Sequence, residues 1–311
     1  MSGPLTDLPT QPPLIPAAAT PPQGLSRTLR EQYGATPLSV LDKRAGWWQK
    51  RRAGWLDLGI QSEVGRPGDL TYRHAFGGQV APYTSIFDPV LAELVYHWWS
   101  RPGDLVLDPF CGGSVRGVVA SWLGRWYYGV DLSGAQIAAD RGQAGIASPD
   151  LPPVWIQGDA RRCHELLPDV DADLIFTCPP YADLEVYSDD PRDLSTMDYP
   201  AFLDALVDSL RAALRLLRPG RFVVLVLGDV RDSRGQLRGI TSDVVVRLRD
   251  DLGLTLHSQA VLLTPAGTVG MQMGRHFQRH RKLGRVHQDV IVMAHGSASD
   301  AAGRCSAEAA S

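Results

Sequence analysis

The chain has 311 residues, with 34 Asp and Glu against 31 Lys and Arg, a net charge of −3. That balance excludes a protein that coats nucleic acid by bulk charge, while leaving room for a local basic patch. Hydrophobic residues at 44% and charged residues at 21% exclude wholesale disorder. No run approaches the ~18 apolar residues of a membrane span. Cys111, Cys163, Cys178 and Cys305 form no Cys-x-x-Cys pair and stand at no ligand spacing from histidine, so neither a metal nor a disulfide framework is expected. The N-terminal stretch lacks the basic start and apolar core of a secretory signal, and the chain reads as cytoplasmic.

Residues 1–24 carry seven prolines and read as a disordered leader. Residues 25–80 form a small basic segment, with Trp47, Trp48 and Trp55 among Lys43, Arg44, Lys50, Arg51 and Arg52, and read as one or two short helices. From residue 81 to 294 the pattern is that of one α/β domain. Apolar runs at 105–107, 126–130, 154–156, 174–176 and 222–227 read as buried strands, separated by helical stretches near 113–121, 135–144, 199–217 and 241–252. Pro219-Gly220 reads as the stop of the long helix. Two final strands, 255–263 and 288–293, enclose a basic loop at 265–286, and residues 295–311 read as a disordered tail. Strands alternating with helices predict a mostly parallel sheet covered on both faces, with ligands beyond the carboxyl ends of its strands.

The polar residues at those strand ends carry the chemistry. Asp108-Pro109-Phe110-Cys111-Gly112-Gly113-Ser114 ends one strand and opens a helix, where glycine lets backbone approach a ligand. Asp131 ends the next strand at the distance at which an acidic residue holds ribose hydroxyls in nucleotide folds. Asp159 follows the third strand. Asp108 or Asp159 alone reads as a helix cap; three acids at successive strand ends read as a nucleotide-type site. The glycine fingerprint of dinucleotide folds and the phosphate loop with its lysine are both missing.

Thr177-Cys178-Pro179-Pro180-Tyr181 follows the fourth strand. Two prolines stiffen the backbone and remove two donors, leaving carbonyls to accept from an amine. The aromatic ring beyond them offers a face for an extruded base, worth ~1–3 kcal/mol. Glu185 and Tyr187, in the acidic stretch that follows, are candidate wall residues of the same pocket.

Together, Asp108-Pro109-Phe110-x-Gly and the later Pro-Pro-Tyr resemble the two signatures of S-adenosylmethionine-dependent DNA methyltransferases that act on exocyclic amino groups. The resemblance covers roughly residues 87–228. It implies an α/β Rossmann-like methyltransferase fold with a mostly parallel seven-stranded sheet, helices on both faces and a terminal antiparallel hairpin. It further implies S-adenosylmethionine as cofactor, held by Phe87, Asp108, Phe110, Gly112, Asp131 and Asp159. Thr177, Cys178, Pro179, Pro180 and Tyr181 are the implied catalytic residues, and DNA is the implied partner. Arg275, Arg279, Arg281 and Lys282 in the basic loop are the candidate DNA contacts. This chain has Cys178 where the family places Asp, Asn or Ser. Three alternatives therefore stand beside adenine or cytosine amino methylation. They are pyrimidine carbon-5 methylation with Cys178 as nucleophile, methylation of RNA, and a binding subunit without catalysis.

Overall fold

The computed structural model describes residues 29, 33–61, 64, 86–181, 187–266 and 269–306. A short strand, β1 (Val40–Asp42), precedes the helix α1 (Gly46–Leu56). The alternating body then runs α2 (Pro89–Trp99), β2 (Leu105–Asp108), α3 (Val115–Trp122), β3 (Trp126–Asp131), α4 (Gly134–Gly142), β4 (Val154–Gln157), α5 (Cys163–Leu166) and β5 (Ala172–Thr177). It closes with α6 (Tyr199–Leu214), β6 (Leu217–Leu227), α7 (Ile240–Leu252), β7 (Thr255–Leu263), α8 (Val269–His280), β8 (His287–His295) and α9 (Ala298–Ser306).

The strands form one sheet in the order β1-β7-β8-β6-β5-β2-β3-β4. Only β8 runs antiparallel, against β6 on one side and β7 on the other. The central strands carry long apolar runs because both faces are covered. Side chains alternate across the sheet, so Leu174 and Phe176 of β5 enter one core and Ile175 the other. Likewise Phe222, Val224 and Val226 of β6 face α2 and α3, while Val223, Leu225 and Leu227 face α6. Helix α6 starts where Asp198 accepts the amide of Ala201 at 2.9 Å, and it buries Phe202, Leu206 and Leu210 at helical spacing.

Four expectations are corrected. The sheet has eight strands, not seven, because β1 adds in parallel beside β7; three residues are too few to show an alternation. The long helix ends at Leu214, and Pro219-Gly220 lies inside β6, where the β5–β6 register shifts; burial of Leu216 and Leu217 outweighs the helical pattern. The basic stretch folds as α8 instead of a loop, because Val269 and Met273 pack side by side where a Cβ at Gly284 would stand 2.7 Å from each. The supposed tail folds over residues 298–306 as α9, which lays Ala298, Ala301, Ala302 and Cys305 on the core at helical spacing. The leader and most of residues 62–85 lie outside the described residues. Among the described residues no helix is long and apolar enough to cross a membrane.

Candidate active site

A cavity opens beyond the carboxyl ends of β2 to β5. It encloses about 1500 Å³ of free space, its open mouth included. Pro109 to Gly113 line it after β2, Asp131 to Ser133 after β3, Asp159 and Ala160 after β4, and Cys178 to Tyr181 after β5. Gln288 reaches it from β8. That strand is antiparallel, so its first residues lie at the end of the sheet where the parallel strands finish.

Asp108 lies behind this wall, fully buried. Its Oδ2 accepts from the Arg116 Nε at 2.5 Å and the Tyr127 hydroxyl at 2.7 Å. Its Oδ1 accepts from the Thr177 hydroxyl at 2.7 Å and the Phe110 amide at 3.2 Å. Four donors occupy the carboxylate, so Asp108 braces the turn and is not itself a wall of the cavity. The same holds for Thr177, which ties β5 to β2 from inside the core and does not share the cavity with Cys178. Arg116 carried no motif signal and proves central. Buried in α3, it also donates through Nη2 to the Phe110 and Cys111 carbonyls at 2.7 and 2.9 Å. Its guanidinium lies 4.4 Å from the Phe87 ring centroid. Burial opposes its charge, but the Asp108 carboxylate and the neighbouring groups together outweigh burial and hold it protonated. A buried cation is tolerable only with such a partner, and Asp108 supplies the sequence-level hint in retrospect.

Asp131 does face the cavity. Its two oxygens accept the Gly112 amide at 2.9 Å and the Ser133 amide at 2.8 Å, which fixes the carboxylate against the glycine turn. Gly112 has φ +50, a conformation glycine adopts without a steric penalty. Burial raises the Asp131 carboxyl above the ordinary aspartate range in spite of these donors. Asp159 lines the cavity too, gripped by Arg161 at 2.6 Å, and hydrogen bonding from that arginine outweighs burial and lowers its pKa.

Across the cavity, the Tyr181 ring lies over Gly228; a Cβ there would come within 2.8 Å of the ring. Gln288 donates its Nε2–H to the Tyr181 hydroxyl at 2.7 Å, and that oxygen is 3.2 Å from the Cys178 Sγ. Tyr187 lines the cavity as expected, while Glu185 lies outside the described residues.

The N-terminal segment completes the wall in a way its composition did not show. Lys43 lines the cavity and pairs with Asp88 at 3.1 Å. Asp88 caps α2 by accepting the Val90 amide at 3.0 Å and takes the Trp48 Nε1–H at 3.2 Å. In the next turn, Glu93 accepts from both Arg51 and Trp55. The tryptophan-rich segment is thus clamped on α2 beside Phe87. Of the basic residues, Arg279 and Arg281 are exposed and Lys282 is half-buried, while the side chain of Arg275 lies outside the described ones. Helix α8 leaves β7 just past Leu262 and returns to β8 just before Gln288, and both residues line the cavity. Among the described residues no cluster could hold a metal ion.

A parallel sheet of this strand order, with β8 inserted antiparallel near one edge, settles the architecture. The fold is the Rossmann-like one of the class I methyltransferases. No family model matches the sequence, and no curated protein does. Solved structures similar to it include TrmN from Thermus thermophilus, 23% identical with a TM-score of 0.45, covering 67% of this chain and 49% of that one. Another is the magnesium protoporphyrin IX methyltransferase of Synechocystis PCC 6803, 12% identical with a TM-score of 0.43, covering 67% and 79%. A third is a TehB-like methyltransferase from Corynebacterium glutamicum, 18% identical with a TM-score of 0.40, covering 66% and 86%. The chain spans about half the length of TrmN.

Proposed function

We propose that the chain is an S-adenosylmethionine-dependent methyltransferase acting on the exocyclic amino group of adenine or cytosine in DNA. One observation carries this reading. The carboxylate fixed against the glycine turn, Asp131, shares a single cavity with the rigid Pro179-Pro180-Tyr181 turn. The donor set fits the cofactor: Asp131 spends one hydrogen bond per oxygen on backbone and keeps acceptor capacity for a pair of ribose hydroxyls. Asp159 and the Phe87 ring complete the lining on either side of it. When bound, the cofactor supplies an electrophilic methyl group whose leaving atom is a neutral thioether sulfur. The chain's own residues hold the amine. A carbonyl of the Cys178-Pro179 turn accepts from it, the Tyr181 ring stacks its base, and the proton departs to water at the open mouth. Positioning then supplies most of the rate. Basic residues of α8 and the segment after it contact phosphates.

A second reading draws on Cys178. Its sulfur lies in the cavity wall beside the Tyr181 hydroxyl, where a cysteine nucleophile for carbon-5 methylation would have to stand. Cys178→Ser separates the two. Amino methylation survives the change, and carbon-5 methylation is abolished. DNA containing 5-fluorocytosine gives a denaturation-resistant adduct only in the second case. We expect an active serine variant, N-methylated adenine or cytosine by mass spectrometry of nucleosides, and no adduct. Competition between duplex DNA and structured RNA for the methyl group tests the polymer. Transfer to RNA alone would replace DNA in the proposal.

A further inference from the structure

We propose that Gln288 is a catalytic residue, and that its amide oxygen accepts a hydrogen bond from the target amino group. The inference rests on the amino-methylation reading and assigns to β8 a role that neither strand-end motif contains.

The argument is one of hydrogen-bond inventory. An amine held for attack has two N–H donors, and a carbonyl of the Cys178-Pro179 turn can take one of them. Cys178 is a poor partner for the second, because a thiol accepts weakly, and its sulfur already faces the Tyr181 hydroxyl at 3.2 Å. Gln288 lines the same cavity from the opposite strand. Its Nε2 is committed to the Tyr181 oxygen at 2.7 Å, and that oxygen lies 3.2 Å from the Cys178 sulfur. That commitment fixes the plane of the amide. Its Oε1, a full-strength acceptor, takes no hydrogen bond from any described residue. Tyr181 is in turn seated against Gly228, so the chain Gln288–Tyr181–Cys178 is anchored at the ring. A fixed amide acceptor beside a stacking ring selects a base that presents a donor. Adenine and cytosine present one; thymine and uracil offer a carbonyl at the corresponding position and meet repulsion. Gln288 neither takes the proton nor forms a bond; it orients the nitrogen lone pair.

The test uses the whole chain, tritiated S-adenosylmethionine and DNA from a methylation-deficient host. Gln288→Met keeps length and apolar bulk but removes the acceptor. We expect it to cut methyl transfer 10- to 100-fold while affinity for S-adenosylhomocysteine, which reports folding and the cofactor half of the cavity, stays within about twofold. Tyr181→Phe removes the tether and keeps the ring, and should cost less. Adding Cys178→Ser to Gln288→Met returns an oxygen acceptor at the other side and should restore at least tenfold of the lost rate. A Gln288→Met variant within threefold of wild type, or a serine double variant with no recovery, overturns the assignment. If the wild-type chain transfers no label to an amino nitrogen, the underlying reading falls and the assignment with it. That failure appears in the wild type, whereas failure of the inference alone appears only in the variants.

Discussion

Substituting Glu93 by Gln should loosen the N-terminal wall of the cavity by a calculable amount. Burial alone would raise the Glu93 carboxyl, but hydrogen bonds from Arg51, His97 and Trp55 outweigh it and hold the pKa at about 2, against 4.5 for an ordinary glutamate. That difference, at 1.36 kcal/mol per unit, corresponds to roughly 3 kcal/mol of native-state stabilisation. Arg51 is 39% exposed, so solvent screening brings the expected loss in Glu93→Gln to about 2 kcal/mol. Because the folded pKa is depressed, the contribution is present in full above pH 4.5 and drains away as pH falls toward 2. Thermal unfolding of the pair at pH 7 should show the variant melting about 3 °C lower. At pH 3 the gap should shrink to less than half that value. A variant equal to wild type at pH 7, or a gap independent of pH, would refute the claim that this ion pair clamps α1 onto α2.

Asp131→Ala should abolish measurable binding of S-adenosylhomocysteine in calorimetry while the fold persists. In the wild type that affinity should fall as pH is lowered through the raised Asp131 pKa, above the range of an ordinary aspartate. Protonation there favours the folded state, so an acid loss of affinity accompanied by loss of fold would contradict the assignment. Replacing Arg279, Arg281 and Lys282 together by Ala should weaken DNA binding and lower the slope of log affinity against log salt by about 2 to 3, leaving cofactor affinity unchanged; an unaltered slope removes the segment from the interface. Thr177→Val strips the 2.7 Å hydrogen bond from the buried Asp108 carboxylate and should cost about 1–3 kcal/mol in denaturant unfolding. An unchanged midpoint would show that Thr177 is no brace.

The central strands were legible because each is an apolar run ending in a polar residue, and burial on both faces leaves no other pattern. Asp131 and Tyr181 were legible as residues lining the cavity because strand-end position and residue chemistry point the same way. Asp108 and Thr177 have the same position, yet their side chains turn inward, and a strand end does not show which way it faces. Arg116 and Gln288 were missed for a related reason. Arg116 sits within an apolar helix, and its need for a carboxylate partner is visible only once β2 and α3 are apposed. Gln288 opens an antiparallel strand more than 100 positions after the tyrosine it touches. Helices α8 and α9 were obscured by glycine and alanine, whose low side-chain contrast hides a helical period.

Strand β1 carries a consequence for the order in which this molecule can be made. Val40 pairs with Val261, about 220 positions later in the chain, and the Lys43 amide is fastened to the Leu263 carbonyl at 3.1 Å. During synthesis β1 leaves the ribosome long before β7 and has no strand to pair with until β7 emerges. It must wait through the synthesis of six strands, although Trp48 and Trp55 can dock on α2 well before then. The contact with the greatest loop-closure cost is thus also the one that brings Lys43 to the cavity. Maturation of the cavity is deferred until β7 has been made, and a nascent chain long enough to contain both strand-end motifs still lacks one wall.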